Sequence, residues 1–176
     1  MLQYALTFIL LALTGTGLPL PEESVLLLAA YFGATGANPW YLAAAAILGI
    51  AVADTLQYVR GRYRWRLFRH FKPGHKMIAS MGFFAVFISR FFITARTVMP
   101  FMAGSMRMPR FYFHLASLLS ATISSVVLII GGGWFYGVLA RHFPQYATGV
   151  WIGVLIVLTG WLIMHGTRNQ LQLLKK

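Results

Sequence analysis

Cysteine is absent from all 176 residues, which removes disulfides, thiolate metal sites, cysteine nucleophiles and dithiol chemistry from consideration. Carboxylates are nearly as scarce. Glu22, Glu23 and Asp54 are the three acids against 15 lysines and arginines, for a formal charge of +12. So few acids leave little material for paired acid-base catalysis, and the basic excess points to anionic lipid head groups as partners rather than to nucleic acid. Charged residues of both signs make up 10% of the chain, whereas 59% is hydrophobic and the mean hydropathy is +0.70. Average soluble domains carry far more charge. The apolar segments are too many and too long for one soluble core, so composition predicts an all-α integral membrane protein forming a single domain over residues 1–176. Residues 2–13 lack a basic lead-in and a small-residue cleavage site, so no removable signal peptide is expected.

What is present reads as helices punctuated by breakers. After the first apolar helix, Pro21 suits an opening helical position, and Glu22 and Glu23 suit the positive end of a helix dipole. The second helix meets Gly33, Gly36, Asn38 and Pro39 after about 14 residues, where a span needs ~20, so it is predicted to enter the membrane and return. Residues 40–59 form a span, with Trp40 and Tyr41 in the aromatic belt and Asp54 inside. Arg60, Arg62, Arg64, Arg66, Arg69, Lys72 and Lys76 then predict a basic helix lying on anionic lipid. A second re-entrant hairpin is expected in 82–108, interrupted near Thr94 and again at Pro100 and Gly104. Spans follow at 111–130, ending near the glycine run 131–133, and at 146–164.

The expected architecture is therefore about four transmembrane helices plus two facing re-entrant hairpins and a basic interfacial helix. If helix one and the three later spans cross while both hairpins return, the segment 60–76, Arg107, Arg110, Arg168, Lys175 and Lys176 share one face, leaving Arg141 opposite. The positive-inside rule then makes both termini cytoplasmic. Each half also reads breaker, hairpin, Gly-rich exit, Pro and span (Pro39 to Tyr41 against Pro109 to Tyr112), a weak internal repeat.

Two arginines stand out within this frame. Arg90 and Arg96 lie in an apolar run, where each costs about 2.5–3.5 kcal/mol by insertion scales unless an anion or wet cavity meets it. In one unbroken helix, six positions separate them by about 120°. A break between them, for which Thr94 and Ala95 are the candidates, lets both reach one phosphate, whose oxygens match the guanidinium fork. Glu23 and Asp54 are candidate proton carriers or gates. Glu22 also fits as a helix-start charge, and Asp54 as a counter-ion of Arg60 or Arg90.

The motifs Pro21-Glu22-Glu23-Ser24, Gly49-Ile-Ala-Val-Ala-Asp54 with Tyr58 and Gly61-Arg62, and Arg90-Phe91, Arg96, Pro100, Ala103-Gly104 and Phe111 together resemble the DedA family, also called the SNARE-associated or VTT-domain superfamily. The match covers about residues 15–135, with the span at 146–164 beyond it. The resemblance implies a bacterial inner-membrane lipid transporter or flippase for undecaprenyl phosphate or phospholipid, dependent on the proton motive force and serving envelope homeostasis. It implies lipid-phosphate binding by Arg90 and Arg96 and proton coupling or gating by Glu23 and Asp54. Supporting roles fall to Glu22, Tyr58, Thr94, Pro100 and Gly104. Departures are Glu22 in place of a usual Gly, Ala53 before the acid, and Ser124-Ser125 where a Trp often follows.

Other classes fit less well. Ser105 lacks a following Gly and has His114 only nine residues on, which argues against a serine protease. His70 and His75 lack metal spacing and a nearby carboxylate, so no metal or cofactor is expected. An enzyme is not expected; a non-transporting scaffold and a lipid-phosphate enzyme remain the alternatives.

Overall fold

A computed structural model describes residues 1–16, 21–63, 81–90, 92–146 and 148–153, with 156, 157 and 160. Among these residues the regular structure is helical throughout. Six helices organise it: α1 (Leu2–Thr14), α2 (Glu22–Ala34), α3 (Pro39–Tyr63), α4 (Phe83–Ser89), α5 (Ile93–Ser105) and α6 (Arg110–His142). A further helical stretch begins at 148, and its Trp151 ring packs edge-on against Tyr136 at 5.8 Å. The expected interfacial helix at 60–76 falls largely outside the described residues, and the expected span at 146–164 falls partly outside them; Arg60 and Arg62 belong to the last turn of α3.

Two helices, α3 with 25 residues and α6 with 33, are long and apolar enough to cross a membrane, with mean hydropathies of 1.7 and 2.0. Their outward faces are also apolar. Leu48, Val52, Leu56 and Val59 on α3, and Leu118, Leu119, Ile123, Val127 and Ile130 on α6, are all exposed. Stripes of this length would be unfavourable against water and are at home against lipid tails.

The two halves of the chain are built alike. α2 and α5 each have 13 residues, and both end in the same turn. The Ala37 N–H donates to the Phe32 carbonyl and the Met108 N–H to the Ala103 carbonyl, the six-to-one bond of a Schellman ending. Within these turns Gly36 has φ +118° and Arg107 φ +56°, so an offset of 71 residues maps one half onto the other. A glycine takes that left-handed position without strain, whereas Arg107 carries a Cβ penalty there. The same offset relates Gly61 to Gly132, and the structure uses both alike. A Cβ on Gly61 would strike the Phe101 backbone on α5, and one on Gly132 would lie 2.9 Å from the Ala30 Cβ on α2. Each short helix therefore packs on the long helix of the other half, α2 on α6 and α5 on α3, while α1 lies on α3 and α4 on α6.

This exchange explains a difference from the sequence reading at the glycine run. Helix α6 does not end near Gly131 but continues to His142. Glycine costs a helix about 1 kcal/mol relative to alanine, yet at Gly132 the missing side chain admits α2 and the packing offsets that cost. Likewise neither Pro100 nor Gly104 interrupts α5. Pro100 forgoes one backbone bond inside a buried turn, and Gly104 lets the α5 backbone touch α3 at Tyr58.

Two apolar clusters fill the interior. One gathers Leu11, Leu26, Leu42, Ile50, Ala121 and Ile129; the other gathers Tyr58, Val86, Met102, Met108, Phe113 and Ala116. On α3 the boundary between them falls at Asp54, and on α6 at Ser117. The buried charged residues Glu22, Asp54 and Arg90 occupy the seam.

Candidate functional site

Five helices contribute to that seam. Glu22 and Glu23 open α2, where the unpaired N–H groups and the dipole favour acids. Asp54 sits mid-way along α3, Arg90 caps the C-terminus of α4, Arg96 lies in the first turn of α5, and Ser117 projects from α6. α4 ends at Ser89 and α5 begins at Ile93, so the break between the arginines comes before Thr94 and Ala95, which are already inside α5. Phe92 is extended (φ −114°, ψ 116°) and turns the chain. With the helix interrupted, Arg90 and Arg96 both approach Glu22.

They converge on carboxylates. Arg90 Nη1 donates to Asp54 Oδ2 at 2.9 Å and Arg90 Nη2 to Glu22 Oε1 at 2.9 Å. Arg96 Nη1 and Nη2 straddle the Glu23 carboxylate, with Nη2 to Oε2 at 3.1 Å, a fork-on-fork pairing. Arg96 Nε lies 3.7 Å from Glu22 Oε2, so Glu22 bridges the two guanidiniums. Ser117 Oγ donates to Asp54 Oδ2 at 2.5 Å. Of the two acids at the start of α2, Glu22 is the more deeply placed. The Arg90, Glu22 and Asp54 side chains are 5%, 7% and 9% exposed, against 13% for Arg96 and 26% for Glu23.

A buried ion network of this kind is weak evidence for stability, because desolvating each ion costs several kcal/mol that the Coulomb attraction must recover. Apolar side chains of the same volume would hold the helices as well. An ion network retained where hydrocarbon surrounds the helices reads as a functional site.

Of the expected participants, the structure brings together Glu22, Glu23, Asp54, Arg90 and Arg96. Asp54 pairs with Arg90 and not with Arg60, whose Nη1 donates to the Gly15 carbonyl at 2.8 Å and caps α1. Tyr58 stands outside the ion network. Its hydroxyl donates to the Met108 carbonyl at 2.5 Å, its ring stacks on Phe113 at 4.6 Å, and Arg62 Nη1 donates to its oxygen at 3.1 Å. Tyr58 thus pins α3 to the turn before α6, and Gly104 supplies the close approach on the α5 side. The Thr94 side chain lies outside the described residues.

Ser117 is the participant that the sequence reading missed. The available signal is a polar stripe on a spanning helix, Ser117 and Ser120 being three apart and both buried. Replacing Ser117 by alanine strips Asp54 of a donor and is expected to lower stability by about 1–3 kcal/mol, as for other hydrogen bonds to buried charge. Ser120→Ala should cost less, because the Ser120 hydroxyl donates to the Ser117 carbonyl of its own helix rather than to a charge. Thermal unfolding in detergent compares the two.

No family model matches this chain, and no solved structure matches it. The chain is 29% identical to uncharacterized membrane proteins of Mycobacterium bovis and of two strains of Mycobacterium tuberculosis, over 89% of its own length and 78% of theirs. Together with the two lipid-suited helices, this similarity identifies a helical membrane protein with a charged seam in its interior.

Proposed function

We propose that this chain is a transporter of phosphate-bearing lipid, of the type that the DedA resemblance implies, with the seam between α2, α3, α5 and α6 as its head-group site. The observation that carries the reading is the pair of guanidiniums brought from either side of a chain break onto one bridging carboxylate, Glu22, inside an apolar shell. A phosphate presents anionic oxygens of the same reach as a carboxylate and more of them, so it competes for the same donors. Three carboxylates face two guanidiniums, which sums to one negative charge when all are ionised. An anionic head group therefore enters at least cost together with protons, and this supports coupling to a proton gradient through Glu23 or Asp54. A lipid-phosphate enzyme is less well supported, since the seryl group hydrogen-bonded to the ion network, Ser117, spends its proton on Asp54. A scaffold requires no such network, since apolar side chains of the same volume would hold the helices as well.

The helix lengths favour a particular membrane arrangement. At 13 residues α1 is about 20 Å long, short of the ~30 Å hydrocarbon core. We read α1 with α2, and α4 with α5, as the two facing hairpins, around α3, α6 and a C-terminal span at 146–164. The basic stretch 60–76, Arg110 and the C-terminal lysines then still share a cytoplasmic face of a bacterial inner membrane, and the first residue falls on the other side.

The test is translocation of undecaprenyl phosphate and of phosphatidylethanolamine in proteoliposomes, with and without a proton gradient. Arg96→Lys is expected to slow transport by about tenfold or more, the equivalent of one lost charge-assisted hydrogen bond of about 1.5 kcal/mol or above. Wild-type rates for Arg96→Lys, or for a chain with all five charges neutralised, would sink the transporter reading and favour the scaffold.

A further inference from the structure

We infer that Glu23 occupies the seat of the lipid phosphate and acts as an internal competitor that the head group displaces from Arg96, while Arg90 stays locked throughout the cycle. This rests on the head-group site above and specifies how that site is regulated. The two arginines are not equivalent in their surroundings. Arg90 divides its two terminal nitrogens between carboxylates on different helices, Asp54 of α3 and Glu22 of α2, and its side chain is 5% exposed. Pulling Arg90 away would strip Asp54 of its guanidinium and leave Glu22 with only the 3.7 Å approach of Arg96 in the apolar interior, a costly kind of rearrangement. Arg96 instead gives both terminal nitrogens to a single carboxylate, that of Glu23.

That geometry is the one a phosphate uses. Substituting two phosphate oxygens for the two Glu23 oxygens conserves both N–H···O bonds of the fork and leaves the Arg90 bonds untouched. Glu23 has somewhere to go, since its side chain is already 26% exposed, whereas those of Glu22 and Asp54 are at 7% and 9%. Arg90 Nε, buried and without a hydrogen-bond partner among the described residues, adds an independent donor beside the exchange. A carboxylate has two oxygens, both already held by Arg96; a phosphate brings at least one more. Glu22, facing both guanidiniums, holds Arg96 in place while its partner changes.

The experiment uses the full chain in lipid nanodiscs, with inorganic phosphate and a short-chain phosphatidic acid as two separate probes, read by titration calorimetry. Glu23→Gln removes the competing charge and keeps an acceptor for Arg96, so it is expected to bind the phosphatidic acid about tenfold more tightly than wild type. Glu23→Ala should share that gain, and Arg96→Lys in the Glu23→Gln background should abolish it. Equal or weaker binding by folded Glu23→Gln, or a gain that survives Arg96→Lys, overturns the inference while leaving the head-group site standing. Failure of both Glu23 variants to fold would make Glu23 a structural partner and overturns it too. A gain confined to inorganic phosphate supports the exchange but removes the lipid from the functional reading, and absence of binding in every variant overturns both.

Discussion

Arg90→Ala is expected to be the most damaging single substitution in the chain, lowering the stability of the detergent-solubilised protein by about 3–5 kcal/mol and abolishing transport. The reason is what it leaves behind. Among the described residues Arg90 is the sole guanidinium bonded to Asp54 and one of two near Glu22, and both acids are under 10% exposed. Breaking a buried pair by deleting one partner costs that much because an uncompensated charge remains in low dielectric. Replacing all three members, as in Arg90→Leu with Glu22→Gln and Asp54→Asn, should recover much of the stability and none of the transport. The contrast separates the energetic role from the functional one. It is read by thermal unfolding in parallel with proteoliposome assays, and an Arg90→Ala protein as stable as wild type would refute the network as described.

Gly104→Val is the second large effect, with an expected loss of about 3 kcal/mol or more, and it acts without touching a charge. A Cβ at Gly104 would collide with the Tyr58 carbonyl oxygen and lie 3.0 Å from the Arg62 backbone nitrogen. Both are main-chain atoms of α3, so no rotamer change relieves the overlap and the helices must separate. Overpacking ordinarily costs about 1–3 kcal/mol, and contact with backbone puts this case at or above the upper end. Since α5 carries Arg96 and α3 carries Asp54, their separation also pulls the seam apart. Gly137→Val, at a position where an added Cβ meets nothing within 4 Å, is the control and should be close to neutral. Unfolding midpoints of the two variants decide the matter.

Much of this molecule was legible in the residues. The scarcity of acids made Glu22, Glu23 and Asp54 conspicuous, and the apolar surroundings of Arg90 and Arg96 demanded anionic partners for them. A chain break between the arginines followed from helical geometry, and the structure has one ahead of Thr94, at the extended Phe92 that opens α5. Local rules failed where distant packing intervened. The glycine run at 131–133 reads as a stop, yet α6 passes through it because α2 fills the space that Gly132 leaves. Pro100 reads as an interruption, and α5 absorbs it against α3.

The sequence by itself determined the solvent, the helical class, the breakers that divide each half and the five ionisable groups that cannot stand alone in hydrocarbon. Periodicity and desolvation are properties of short stretches, so they can be read from short stretches. Only the tertiary structure decided which acid meets which arginine, that Glu22 bridges both, and that Ser117 completes the shell of Asp54. These partners lie 36 to 74 residues apart along the chain. Their meeting depends on how α2 crosses α6 and α5 crosses α3, and those crossings are set by glycines and small side chains far from any charge.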